Sequence, residues 1–149
     1  MERIVLDSNS LLRSFSKSSK YHSVWEGILS GNISLFVTAD ILLEYEEKIS
    51  YFSSPVVAKS VVAQILNAPT TTVINQYMRW NMIVNDPDDN KFVDCAIAAN
   101  AKCIVTNDKD YNILKNQKNL WPKVDIKTLE EYHKQLQNKP LVGTKRKRK

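Results

Sequence analysis

Ile4-Val5-Leu6-Asp7-Ser8-Asn9-Ser10 opens as three consecutive apolar residues and closes as a short polar turn. An apolar run without alternation suits a strand buried on both faces, the kind found in parallel sheets covered by helices. The same design returns at Cys103-Ile104-Val105-Thr106-Asn107-Asp108, where a second apolar run stops at an acid. Ligands of open α/β sheets bind beyond the carboxyl ends of the strands. Asp7 and Asp108 are therefore expected at one edge of one sheet, placed to share a cation.

The chain between these runs alternates β-branched stretches with helical patterns, which argues for a parallel sheet with crossover helices. Strands are expected at Arg3–Leu6, Ile33–Val37, Met82–Val84, Cys103–Thr106 and Val124–Ile126. Helices are expected over 9–15, 21–30 and from a Thr38 cap to Ser50, with Ile41, Leu42, Tyr45 and Ile49 on the apolar face. Further helices follow at Pro55–Asn67, from the acidic run at Asp86 to about Ala101, and at Leu129–Leu136. Thr70–Tyr77 reads equally as strand or helix.

With 149 residues and 43% hydrophobic content, the chain suits a single domain with a sizeable core. We expect that domain to span 1–137 and a basic, disordered tail to span 138–149. The formal charge is +5, but Lys145, Arg146, Lys147, Arg148 and Lys149 hold five of the 21 basic residues, leaving 16 bases against 16 acids in the body. The high pI thus belongs to the tail, which either solubilises the protein or contacts nucleic-acid phosphates. Only three glycines occur, so no glycine-rich loop cradles a nucleotide's phosphates. Cys95 and Cys103 sit in apolar runs without zinc or disulfide spacing and read as small core residues of a reduced, cytoplasmic protein. No run approaches the roughly 18 apolar residues of a membrane span. Trp25, Trp80 and Trp121 read as core or interface aromatics rather than base-stacking platforms, and His22 and His133 as surface or cap residues.

Each acid has a bland reading beside its functional one. Asp7 also suits a plain N-cap for the helix that follows it, and Asp108 has the same ambiguity. In the helix after Pro87, a turn of about 100° per residue sets Asp89 on the side of Phe92, Val93 and Ala96, facing the core. Asp94 falls instead with Asn90, Lys91 and Ala98, and solvation accounts for it equally well. A carboxylate turned toward a core must be paired, hydrogen-bonded or metal-bound, which favours Asp89 as a ligand. Glu44 lies beside Glu46 and Glu47 on the flank of its helix, where a solvated face is the simpler reading.

Four segments taken together, IVLDSNSLL, ILLEYEEKI, DPDDNKFVDCAIAANA and CIVTNDKDY, resemble in that order a PIN domain, and in particular bacterial PIN proteins of toxin–antitoxin pairs. The resemblance runs from about Ile4 to Leu129. It implies a three-layer α/β/α fold with a central parallel sheet of four to five strands, and a ribonuclease dependent on Mg2+ or Mn2+. By motif, the family's catalytic acids fall on Asp7, Glu44, Asp89 and Asp108, and the acid further along the third helix on Asp94. Metal would be held by Asp7, Asp89, Asp94 and Asp108, with Asn9, Thr106 and Asn107 in support and Glu44 orienting the attacking water. Ser8 stands where Thr is commoner, and Asn107 where Gly is frequent. Both are mild departures, since Ser keeps the hydroxyl and Asn tolerates a left-handed turn.

The residue types suit that chemistry, because hard divalent cations take oxygen ligands and clustered carboxylates repel one another without one. The resemblance also implies an RNA substrate, products with 5′-phosphate and 3′-hydroxyl ends, an antitoxin partner and a homodimer. Two competing readings stay open. A haloacid-dehalogenase-type phosphatase also begins with a strand and an Asp, but it needs a second Asp two residues on, where this chain has Asn9. A non-catalytic PIN scaffold would bind RNA or a protein without turnover.

Overall fold

A computed structural model describes residues 2–75, 78–83, 86–115 and 123–138 of the chain. The expected strand residue Val84, Trp121 and the tail from 139 onward lie outside these described residues. Five strands form one sheet: β1 (Glu2–Leu6), β2 (Ile33–Val37), β3 (Thr72–Val73), β4 (Cys103–Val105) and β5 (Ile126–Lys127). All pairings are parallel, in the order β3-β2-β1-β4-β5. Every residue of β2, Ile33 to Val37, is buried, as a central strand with both faces covered requires. The three-layer α/β/α arrangement expected from the sequence is thereby observed, with five strands.

Helices α1 (Ser8–Ser14) and α2 (His22–Ser30) connect β1 to β2, and α3 (Ala39–Phe52) and α4 (Pro55–Asn67) connect β2 to β3. Each of α1, α3 and α4 starts at a side-chain cap: Asp7 accepts from Ser10 N–H, Thr38 from Ile41 N–H and Ser54 from Val57 N–H. Such caps satisfy donors that the helix itself leaves unpaired. Gly27 lets α2 lie close on β2, for a Cβ there would stand 2.5 Å from Ile33 Cδ1. The helix α5 (Asn90–Ala99) packs over β1, β2 and β4, while the short α6 (Asn112–Lys115) and closing α7 (Leu129–Asn138) lie against β5. Asn138, expected to begin the tail, is the last residue of α7.

The structure corrects two of these elements and resolves part of the open stretch 70–77. Met82 and Ile83 are not in a strand. Their backbone is claimed by a side chain instead: Ile83 N–H donates to Asn90 Oδ1 at 2.8 Å, and Asn90 Nδ2 donates to Ile83 C=O at 2.9 Å. The helix expected from Asp86 starts as a 3-10 turn, Pro87–Asp89, before α5, and ends at Ala99 because Asn100 adopts the left-handed conformation (φ 51°). The ambiguous stretch 70–77 contains only the two-residue strand β3 among its described residues.

The core is a continuous apolar cluster that includes Ile4, Val5, Leu6, Leu35, Phe92 and Ile104. Cys95 and Cys103 are free and buried, and burial pushes both thiols up to about 12, so they are inert core residues as expected. Trp25 is also buried. Among the described residues, no helix is long and apolar enough to cross a membrane.

Candidate functional site

The chain leaves β1 toward one side of the sheet and reaches β4 on the other, so the strand order reverses between these neighbours. A crevice forms at such a switch point, outside the strand carboxyl ends. Leu6 ends β1 in register with Val105 of β4, which brings Asp7 and the Thr106-Asn107-Asp108 turn side by side. Asp7 N–H extends the ladder by donating to Val105 C=O at 3.2 Å.

Thr106 joins the two acids. Its hydroxyl donates to Asp7 Oδ2 and accepts from Asp108 N–H at 3.0 Å. Asp7 is buried, with its other oxygen accepting from Ser10 N–H at 2.8 Å. Burial raises its pKa against these hydrogen bonds, and the charge of Asp108 adds to the rise. The cap reading of Asp7 is therefore correct without excluding a second role. Asp108 likewise caps the 3-10 turn Lys109–Tyr111, accepting from Asp110 N–H at 2.9 Å.

Asp89 completes the centre from the third side. Carboxylate oxygens of Asp86, Asp89, Asp108 and Asp110 all lie within 4.8 Å of one another. Asp89 Oδ2 is buried and has no hydrogen-bond partner. Its pKa is pushed up to about 7, first by burial and then by the charges of Asp86, Asp108 and Asp7. A buried carboxylate oxygen left without a donor, among like charges, is the environment that a hard cation satisfies. The donors are all oxygen, and the residues fit a divalent metal.

Asp86 and Asp110 were not among the acids singled out from the sequence. Asp86 is the N-cap of the 3-10 turn Pro87–Asp89, three residues before Asp89, and residues three apart in a turn of helix share a face.

Glu44 stands beside this centre in a different environment. Its side chain is only 10% exposed, it accepts from Ser8 Oγ, and Lys91 Nζ lies 2.7 Å from its Oε1. The solvated reading of Glu44 is thus incorrect, because α5 supplies the cation that lets the carboxylate be buried. Lys91 also reaches Asp88 at 3.1 Å. Tyr45, the next residue on α3, donates its hydroxyl to Leu6 C=O and anchors the helix to the end of β1.

Asp94 is buried but lies outside the four-carboxylate group, and its Oδ1 accepts from Trp80 N–H at 3.0 Å. It is not solvated. Asn90 and Asp94, four residues apart on α5, together hold the backbone at Trp80 and Ile83. Asn107 turns away from the acids to the extent that its Oδ1 accepts from Leu129 N–H at 2.9 Å and so fixes the start of α7. Asn9 is exposed and lines a cavity that Asp108 also lines. His133 is partly exposed and pairs with Ser23 Oγ at 3.1 Å, while His22 Nδ1 lies 3.2 Å from Ser14 C=O.

Comparison with known proteins adds a family and a fold. The sequence model of the PIN domain matches residues 3–110. A chain in the crystal structure of VapBC2 from Rickettsia felis, bound to a DNA fragment from its promoter, superposes with a TM-score of 0.57 at 16% identity. The match covers 85% of this chain and 98% of that one. No curated protein matches the sequence.

Proposed function

The chain belongs to the PIN-domain family, and from that premise we propose that it is a metal-dependent endoribonuclease, the toxin of a toxin–antitoxin pair. One observation carries the reading: the buried, unpartnered Asp89 Oδ2 within a group of four carboxylates at the switch point of the sheet. Asp86, Asp89, Asp108 and Asp110, whose oxygens converge, would hold Mg2+ or Mn2+, and Asp7, outside that group with its oxygens accepting from Thr106 and Ser10, would act from the adjoining end of β1. When bound, the cation lowers the pKa of a coordinated water and neutralises charge developing on a phosphodiester.

The protein's own groups do the rest. Thr106 holds Asp7 and Asp108 in one geometry through a single hydroxyl. Asp89, its pKa pushed up to about 7 by burial and neighbouring acids, would be held in its charged form by a bound cation. Glu44, paired with Lys91, would orient a water at the rim of the centre. Asp94 is left to structure, since its carboxylate is engaged with Trp80. Support for an antitoxin partner comes from the shared fold with a chain of the VapBC2 assembly.

The test is cleavage of single-stranded RNA in Mg2+ or Mn2+ by the wild type, Asp7→Asn and Asp89→Asn. We expect metal-dependent products from the wild type and a loss of at least about a hundredfold in each variant, as removal of a group acting in the transition state entails. Equal cleavage by all three would sink the assignment. Absence of cleavage with intact RNA binding would leave a scaffold, and trapping of an aspartyl-phosphate at Asp7 would favour a phosphatase.

A further inference from the structure

A cavity of about 640 Å3 opens beside the carboxylates and shares Asp108 with them, with Asn9 and Asn107 also in its wall. Away from the acids its walls change character to Leu12, Arg13, Phe15 and Phe52. Its size falls within the range of small-molecule sites, which pair apolar walls with a few polar groups. Phe15 is held by an edge-on contact with buried Trp25, with ring centroids 6.4 Å apart. Phe52, at the end of α3, is 67% exposed, although it is an apolar ring as large as any in the core.

We propose that this cavity seats an unstacked nucleobase of the RNA strand being cut. The proposal rests on the nuclease reading of the adjoining carboxylates. A phosphodiester brought to the acids carries its flanking bases into the space next to them, and the cavity is the space that begins at Asp108. The two phenylalanines supply faces for stacking, which tolerates any base because every base has a π-face. Arg13, whose guanidinium lies 5.1 Å from the Tyr21 ring centre, is the cation in a wall otherwise adjoining negative charge. It answers a flanking phosphate, while the acids themselves repel one until a metal is bound. A base seated here has left its stack, which costs least in a single strand.

The experiment measures binding by fluorescence anisotropy, with Ca2+ as the divalent ion, for the full chain and for Phe52→Ala and Phe52→Tyr. The probes are a short oligouridine strand and a ribose-phosphate strand of the same length without bases. Phe52→Ala should weaken oligouridine binding about tenfold, and Phe52→Tyr should restore it. On the base-free strand the wild type and Phe52→Ala should bind alike. Equal loss on both strands, or no loss on either, overturns the proposal and leaves the cavity to another occupant, such as a segment of a protein partner. The nuclease reading fails separately: without metal-dependent cleavage the acids lose their role, whereas the base-dependent Phe52 effect would still establish the cavity.

Discussion

At the scale of single residues the centre stores unfavourable charge. Asp89 has its pKa pushed up to about 7, burial being the largest cause, and Asp7 is raised for the same first reason. A carboxyl whose folded pKa exceeds its unfolded one stabilises the fold fully at low pH and loses that contribution as pH rises through the folded value. The metal-free protein should therefore lose stability between about pH 4 and pH 7, by roughly 1–2 kcal/mol for Asp89 after solvent screening of a half-buried group. Thermal melts in chelator should show a midpoint a few degrees lower at pH 8 than at pH 5, with Asp89→Asn flattening much of the slope and saturating Mg2+ reversing it. A slope unchanged in Asp89→Asn would place the strain elsewhere. The Glu44–Lys91 pair makes the complementary prediction, since both groups are mostly buried. Lys91→Met should cost about 1–3 kcal/mol by leaving the carboxylate uncompensated, and adding Glu44→Gln should recover much of it in a double-mutant cycle of denaturation midpoints. These residues also mark how much of the site was legible. Asp7 and Asp108 could be read because strand ends declare themselves by an apolar run, and Asp89 because helical angle turned it inward. The environment of Glu44 depends on Lys91, 47 residues away, and no local pattern reveals such a partner.

At the scale of elements, the long apolar runs and the capped helices were readable, because caps and periodicity are local. Misreadings gather where one element borrows hydrogen bonds from another. Met82 and Ile83 carry strand-like side chains, yet Asn90 occupies both backbone groups of Ile83 in place of a neighbouring strand. The same arrangement buries Asp94 on a face of α5 that a helical wheel assigns to solvent. Asn90 and Asp94 thus act as a two-point clasp on the segment preceding the acidic turn. Asn90→Ala should cost about 1–3 kcal/mol, because the buried Ile83 N–H and C=O lose their partners together. Hydrogen exchange at Ile83 should accelerate strongly in that variant, while amides of β1 and β4 keep their protection relative to global unfolding. Uniform acceleration across the sheet would show that the segment has no opening of its own. The 3-10 entry to α5 is the other element that a periodicity scan reads as continuous α-helix.

At the scale of the whole molecule, charge is divided unevenly along the chain. Sixteen acids balance sixteen bases once Lys145–Lys149 is set aside, and at least four of those acids converge on one crevice. On the proposed nuclease reading, a polyanion approaching the crevice would meet repulsion there, and a bound cation and Arg13 at the cavity wall would offset it. Each phosphate neutralised by Lys or Arg contributes about −0.7 to the slope of log affinity against log salt for a single strand. If the basic run lies on the RNA, deleting Lys145–Lys149 should make that slope shallower by about 1–3 and weaken binding most at low salt. If the run only adds affinity, the deletion should leave turnover under saturating RNA and metal within about twofold, a change of less than 0.5 kcal/mol in the barrier. A salt slope identical to that of the full chain would assign the run to solubility alone. A loss of saturated turnover would instead give the run a part in the chemical step.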